Sequence, residues 1–69
     1  MEILSVFFNR AFFDTIECRK YLSDYKLVPI LRVIRTDMDY VYIIQNELNY
    51  THKIKKNIGN GIVIKYGFF

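Results

Sequence analysis

The sequence predicts an α+β fold, in which a small, mostly antiparallel sheet carries one helix packed on one face. Three observations predict it: one capped helix signal near the start, a hairpin-like stretch in the middle, and a glycine-rich turn before a last alternating segment. Together they give the order β-α-β-β-β. Because the chain has only 69 residues, we treat residues 1–69 as a single domain.

The first element is a strand from Met1 to Phe8, followed by a short connection from Asn9 to Phe13. Strict alternation places Ile3, Ser5 and Phe7 on one face of this strand, and Leu4, Val6 and Phe8 on the other. Since both faces are largely apolar, the pattern indicates a central or covered strand rather than a half-exposed one.

The second element is a helix that begins after Asp14 and runs to about Asp24. The carboxylate of Asp14 can accept hydrogen bonds from the free amides of the first turn, and Glu17 completes a capping box. An apolar stripe with helical spacing predicts the side that packs on the sheet. Its members are Cys18, Tyr21, Leu22 and Tyr25.

The stretch from Lys26 to Asn46 predicts a hairpin that organises the rest of the chain. Residues Ile30 to Arg35 alternate aliphatic side chains with arginines, and Tyr40 to Ile44 are all aromatic or β-branched. Pro29 disfavours helix before the first strand. The turn between the strands falls at Asp37, Met38 and Asp39, because short carboxylates bond nearby backbone amides.

The C-terminal part predicts one more well-formed strand and one weaker one. His52 to Ile58 is expected to be extended but irregular, and Ile62 to Tyr66 alternate as a final strand. Between them, Gly59-Asn60-Gly61 can adopt the positive φ angles that a tight hairpin turn requires.

Composition and charge exclude several classes of protein. The only cysteine, Cys18, allows no internal disulfide and no cysteine-based metal site. We expect no secretory signal and no membrane span, because no apolar run reaches about 18 residues. Residues 1–50 carry 6 basic and 7 acidic side chains, whereas residues 51–69 carry 4 basic and none acidic. The basic character of the chain is therefore a C-terminal feature.

Short motifs give a resemblance across nearly the whole chain. They are Tyr21-Leu22 at the helix end, the step from Tyr25 to Arg32 through Pro29-Ile30, the Thr36–Tyr42 hairpin, Thr51-His52-Lys53-Ile54, and Gly59-Asn60-Gly61-Ile62. This layout resembles small α+β proteins and terminal modules of unassigned function from large DNA viruses and tailed phages. The resemblance implies the fold and a viral source, hence an intracellular place in host cytoplasm, nucleus or virion rather than secretion. It implies no reaction.

The leading functional hypothesis is a non-enzymatic viral accessory module that docks a protein partner or a second copy of itself. One helix covers only one face of a sheet, so the other face must meet a partner or be covered by the C-terminal hairpin. Aromatic side chains at the terminus can anchor in a neighbour's pocket, or instead close the domain's own core. The predicted docking residues are Tyr40, Tyr42, Ile44, Phe68 and Phe69.

The alternative hypothesis is a small basic nucleic-acid-binding protein that uses the Lys53–Lys56 region. Lysines neutralise phosphates and tyrosines stack on bases. The competing structural explanation is that lysines protect an exposed strand edge from aggregation. No RNA-recognition signature supports the hypothesis. The residues concerned are Lys53, Lys55, Lys56, Lys65, Tyr50 and Tyr66.

No pattern predicts an enzyme, a metal site, a cofactor or a small-molecule substrate. The Gly59 turn lacks the strand, helix and Lys-Ser/Thr context of a phosphate loop. Asp37 and Asp39 fit a solvated turn better than a metal or acid/base pair. Cys18 lies on the apolar stripe and is expected to be a buried structural thiol, so a nucleophile pair with His52 is disfavoured.

Overall fold

The computed structural model describes residues 1–69 and confirms an α+β domain with one five-stranded antiparallel sheet and one helix. The strands are β1 (Glu2–Asn9), β2 (Ile34–Arg35), β3 (Asp39–Ile43), β4 (His52–Gly59) and β5 (Ile62–Phe68), the helix is α1 (Thr15–Asp24), and Glu47–Asn49 forms a 3₁₀ turn. The spatial order of the strands is β2-β3-β1-β5-β4. The fifth strand is β4, which covers the stretch from His52 to Ile58 that the sequence predicts only as irregular extended chain.

Strand β1 lies at the centre of the sheet, between β3 and β5. Val6 is paired with Tyr42 on one side and with Ile64 on the other. The pairing with β5 shifts by one residue between Ile3 and Ser5, and such a bulge interrupts the alternation of side chains. Ile3 therefore packs against the main core cluster, while the fully buried Leu4 lies outside it. The strict alternation expected for this strand is wrong at these two positions.

Both ends of α1 close as regular helix caps. The Asp14 carboxylate accepts from the Glu17 amide at 2.8 Å, and the Glu17 carboxylate accepts from the Asp14 amide at 3.0 Å, which confirms the predicted capping box. At the other end, the Leu27 amide donates to the Leu22 carbonyl and the Lys26 amide to the Ser23 carbonyl. This is a Schellman ending, in which Lys26 occupies the left-handed position with φ of 57°.

The core lies between α1 and one face of the sheet, which we call the covered face. Its fully packed members are Val6, Phe8, Cys18, Leu22, Tyr42, Ile62 and Ile64. Phe8 is at its centre and makes edge-to-face contacts with Phe13, Tyr21 and Tyr42 at ring-centroid distances of 5.3, 5.4 and 5.6 Å. Two members of the predicted helix stripe, Cys18 and Leu22, are buried, whereas Tyr25 at its end is exposed.

The central hairpin is shorter than the sequence predicts. Only Ile34–Arg35 of the predicted strand from Ile30 to Arg35 pairs as β2, and the preceding residues run beside α1 instead. The Ile30 amide still reaches the Ile43 carbonyl at 2.9 Å. The turn forms where it was predicted, and Thr36 stabilises it by accepting from the Asp39 amide at 2.9 Å.

The C-terminal hairpin extends the sheet and does not fold over its free face. Residues 52–58, expected to be irregular, lie in the eight-residue strand β4, which is exposed along its whole length. Positive φ angles at Gly59, Asn60 and Gly61 form the predicted turn. Because β4 is an outer edge strand, the lysines along it are the kind of side chain that discourages edge-to-edge pairing.

Candidate functional site

The face of the sheet opposite α1 has no helix over it, and we call it the uncovered face. In the register of the sheet, Phe7 is paired with both Val41 and Val63, and Ser5 is paired with Ile43 and Lys65. Directly paired residues point to the same side of a sheet. These side chains therefore share one surface, and Phe7, Ile43 and Val63 remain half-exposed on it.

One half of the uncovered face is an apolar groove of about 550 Å³ beside the 3₁₀ turn. Its apolar walls are Ile30, Leu31, Ile34, Ile43 and Leu48. Four of these aliphatic side chains are largely exposed, and Leu48 is 87% exposed. Exposed apolar side chains gathered in one place form a candidate binding surface. We call it the aliphatic groove.

The other half carries a lysine row formed by Lys53, Lys55 and Lys65. Lys55 is paired with Lys65, and Lys53 with Gly67, so the lysines share the uncovered face. The Lys55 Nζ lies 4.7 Å from the centroid of the Phe7 ring, a cation–π contact. Lys53 also lines the aliphatic groove. The row therefore borders the apolar half directly.

Glu47 is the acidic side chain that meets the lysine row, and its carboxylate forms an ion pair with Lys65. The pKa of Glu47 is lowered, first because Lys65 donates a hydrogen bond to the carboxylate, and further by the charges of Lys65, Lys53 and Lys55. One carboxylate cannot neutralise three ammonium groups, so this half of the face stays positive.

The structure places the predicted docking residues of β3 away from this surface. Tyr42 is 4% exposed and belongs to the core. Tyr40 and Ile44 are half-buried against the same core, and the guanidinium groups of Arg10 and Arg35 lie 5.5 and 5.7 Å from the centroid of the Tyr40 ring. The reason is the register: Tyr40 is paired with Phe8, on the side that α1 covers. The expectation that Tyr42 lies on an exposed docking face is therefore wrong.

The two C-terminal phenylalanines behave differently from each other. Phe68 is half-buried in β5 and stacks on His52 at 5.3 Å between ring centroids. Phe69 stacks on Tyr50 at 5.2 Å and is still 82% exposed. Of the two predicted anchors, Phe69 therefore has the more exposed ring.

The residues predicted to bind nucleic acid do not form one surface. Lys56 is paired with Ile64 and Ile54 with Tyr66, so Lys56 and Tyr66 lie on the side of the covered face. Tyr50 is half-buried and donates its hydroxyl to Gln45 at 2.7 Å. Of the predicted set, Lys53, Lys55 and Lys65 lie together on the uncovered face.

The other chemistry-bearing residues remain dispersed. Cys18 is fully buried, and burial raises the pKa of its thiol to about 11, so the reactive thiolate is scarce at neutral pH. His52 is exposed on the edge strand. No cluster of three or more His, Cys, Asp or Glu side chains is placed to hold a metal ion. The helical part of the chain offers no segment of the length and hydrophobicity that spanning a bilayer requires.

Sequence reasoning missed the aliphatic groove because its members come from three separate segments. Ile30 and Ile34 precede the turn of the central hairpin, Ile43 follows it, and Leu48 lies in the 3₁₀ turn. A signal was present in Leu48 itself, a large apolar residue without a periodic partner, but only the pairing of β2 with β3 brings Ile34 beside Ile43.

Comparisons of the chain with protein-family models, with curated proteins and with solved structures find no match.

Proposed function

We propose that the chain is a non-enzymatic docking module whose uncovered face binds a protein partner with an apolar centre and an acidic rim. The observation that carries the proposal is the juxtaposition of the exposed aliphatic groove with the lysine row. Protein interfaces combine these elements: an apolar centre that loses water on binding, and polar charges around it. A viral source, which the sequence resemblance implies, is part of the same proposal.

The two halves of the face have different roles in this proposal. Burying an aliphatic side chain such as Leu48 stabilises a complex by about 1.5–3 kcal/mol when the side chain becomes fully enclosed. The lysines contribute less affinity, because their ammonium groups stay near water, but they accelerate encounter with an acidic surface and disfavour basic partners. In this proposal the groove therefore supplies most of the affinity, and the lysine row supplies selectivity for acidic partners.

The test uses two variants of matched chemistry. Leu48→Asp places a charge in the groove, and Ile16→Asp places the same charge on α1, where Ile16 is 70% exposed. Proteins captured by the immobilised wild-type chain are identified, and the dissociation constant of the purified partner is then measured for all three chains. We expect Leu48→Asp to weaken binding at least tenfold and Ile16→Asp to leave it unchanged. Equal binding by both variants would exclude the groove as the site.

Self-association is the special case in which the partner is a second copy of the chain. Sedimentation velocity across a concentration series distinguishes it from binding to another protein. A dimer that dissociates in Leu48→Asp, but not in Ile16→Asp, assigns the groove to a contact between copies. A wild-type chain that stays monomeric assigns it to a different protein.

Nucleic-acid binding is the second candidate, favoured by the contact between Lys55 and Phe7 and by the sharing of one face by Lys53, Lys55 and Lys65. Such a surface can neutralise phosphates while the aromatic ring stacks on a base. Binding to labelled single- and double-stranded oligonucleotides is measured by fluorescence anisotropy over a salt series. Each lysine that contacts a phosphate adds roughly 0.7–0.9 to the slope of log K against log salt concentration.

Lys56→Gln is the matched control for Lys55→Gln, since both remove one charge from adjacent positions of β4 that point to opposite sides. A phosphate-binding row predicts a loss of slope in Lys55→Gln and a smaller change in Lys56→Gln. Absence of binding at low salt would reject this candidate and leave the protein-docking proposal. Equal effects of the two substitutions would indicate general charge attraction rather than a site on the uncovered face.

A further inference from the structure

A second pocket lies between α1 and the chain segment that leaves it, and Leu31 is the one residue that it shares with the aliphatic groove. It has a volume of about 700 Å³ and is lined by helix residues from Thr15 to Ser23, by the segment 26–33 and by Tyr42. The Schellman ending of α1 directs the chain back along the helix and so forms the wall of this pocket. Its volume falls within the range of pockets that hold small organic ligands.

The charged side chains of this pocket are all cationic. Arg19, Lys26 and Arg32 line it, and no Asp or Glu does. The ion pairs of the protein, Lys20–Asp24 and Lys65–Glu47, leave these cations out. Two guanidinium groups and one ammonium group without an acidic partner favour an anion, because arginine binds carboxylate and phosphate groups with paired hydrogen bonds.

Tyr42 provides a second, independent observation. Its side chain is 4% exposed and lines the pocket, and within the protein its hydroxyl has only the Cys18 thiol, a weak hydrogen-bonding group, beside it. A ligand oxygen in this place would give the hydroxyl a stronger hydrogen bond. Burial raises the pKa of Tyr42, the Cys18 thiol raises it further, and the nearby Arg19 charge acts in the opposite direction.

The rest of the wall is apolar, with aliphatic side chains contributed by Leu22, Leu27, Val28, Leu31 and Val33. A pocket lined by cationic and aliphatic side chains is complementary to an amphiphile with an acidic head. Lys26 adds to this assignment, because it stands at φ of 57°, where glycine is the usual residue. A lysine at this position costs backbone free energy and places a cation at the pocket.

We propose that this pocket binds a small organic anion with an aliphatic body, of the fatty-carboxylate class. The carboxylate is held by Arg19, Lys26 and Arg32, and the aliphatic chain lies against Leu27, Val28 and Val33. The proposal is separate from the docking function, since the pocket lies on the helix side of the sheet, the aliphatic groove lies on the other, and Leu31 alone lines both.

The experiment titrates decanoate, below its micelle concentration, into the ¹⁵N-labelled chain and follows the amide resonances. We expect saturable one-site binding with shifts confined to residues 19–33 and the neighbourhood of Tyr42. Two control ligands are used. Decanol has the aliphatic chain without the negative charge, and inorganic phosphate has negative charge without an aliphatic chain. We expect both to bind at least about tenfold more weakly than decanoate.

Substitutions distinguish the loss of a charge in the pocket from a loss of folding stability. Arg32→Gln is expected to weaken decanoate at least about tenfold, whereas Lys56→Gln, which removes the same charge outside the pocket, leaves the affinity unchanged. Lys26→Gly removes a cation from the pocket, so it should weaken the binding of decanoate. Because glycine adopts a positive φ without strain, the melting temperature should stay the same or rise. Tyr42→Phe should lower affinity with little change in stability, because the hydroxyl has only the weak Cys18 thiol as a partner within the protein.

The proposal is overturned by any of three results. If decanol binds as tightly as decanoate, the cationic side chains do not contribute to binding and the site is simply apolar. Equal effects of Arg32→Gln and Lys56→Gln would reduce the interaction to general charge attraction. Absence of saturable binding, or shifts centred on β4 and the 3₁₀ turn, would leave the pocket without this ligand while the docking proposal stood unaffected.

Discussion

The two faces of the sheet are built from the same strands but differ in burial. On the covered face, Val6 and Phe8 are fully buried beneath α1. On the uncovered face, Phe7 lies between them in sequence and is half-exposed. A β-strand offers alternate residues to both faces, but one ten-residue helix can lie over only one of them. The difference teaches that the helix, rather than the hydrophobicity of the strands, decides which face is core and which face can bind.

The uncovered face is itself not uniform. At one end, Leu4 is fully buried and its Cδ1 atom, with the Tyr50 ring, lies within 3 Å of the place where a Cβ on Gly67 would be. At the other end the aliphatic groove is open to solvent. The residues after the 3₁₀ turn therefore close part of the face, and the surface open to solvent is confined to the remainder.

The largest effect should separate the neighbouring phenylalanines of β1. Phe8→Ala removes the centre of the core and is expected to destabilise the domain by about 3–5 kcal/mol, whereas Phe7→Ala should lower the free energy of unfolding by only about 1 kcal/mol. Urea denaturation followed by tyrosine fluorescence measures both. Since domains of this size have only about 5 kcal/mol of stability, a Phe8→Ala chain that does not fold also meets the expectation. Similar losses at the two positions would remove the distinction between the faces.

The next effect tests the closed end of the uncovered face. A methyl group at Gly67 would lie 2.7 Å from the Tyr50 Cγ and 2.8 Å from the Leu4 Cδ1, so Gly67→Ala should destabilise the domain by about 1–3 kcal/mol through overpacking. Thermal unfolding of Gly67→Ala, Tyr50→Ala and the double variant forms a cycle. Because removal of the Tyr50 ring relieves the contact, the two losses should be less than additive. Strict additivity would contradict the packing described here.

A smaller effect concerns the helix that creates the difference between the faces. Asp14→Ala removes the carboxylate that accepts from the Glu17 amide, and it should cost about 1 kcal/mol of folding stability. Asp24→Ala is the matched control, since Asp24 makes only an exposed pair with Lys20, worth about 0.5 kcal/mol or less. Chemical denaturation compares the two. An equal loss of folding stability in Asp24→Ala would mean that the Asp14 cap makes no specific contribution to the helix that covers the sheet.

The smallest effect is a pH dependence in the lysine row. The pKa of Glu47 is lowered from its ordinary value of 4.5, chiefly because Lys65 donates a hydrogen bond to it. A carboxyl group whose folded-state pKa is depressed contributes stability above its unfolded pKa, and this is lost as pH falls through the folded value. The contribution should stay below about 1 kcal/mol, because the Glu47 and Lys65 side chains are 41% and 22% exposed.

Glu47→Gln is the variant that isolates this contribution. Its unfolding free energy should fall less steeply than that of the wild type between about pH 5 and pH 3. Parallel curves for the two chains would show that the ion pair adds nothing to folding.

Much of the local structure follows from the sequence because it depends on interactions within a few residues. The capping box of Asp14 and Glu17, the turn at Gly59-Asn60-Gly61 and the buried state of Cys18 each rest on residue type and short spacing. The α+β class follows as well, since the periods of a helix and of a strand differ. These features are decided before any distant parts of the chain meet.

Tertiary structure decided the features that depend on strand pairing. The bulge between Ile3 and Ser5 redirects Leu4, and the register of Phe8 with Tyr40 places the β3 tyrosines beneath α1. Lys55 and Lys56 are neighbours in sequence, but β4 sends them to opposite sides. Since a shift of one residue exchanges the faces of a strand, hydrophobic pattern alone cannot tell which face the helix will cover when both are apolar. The surface of the uncovered face and the cationic pocket therefore exist only in the assembled fold.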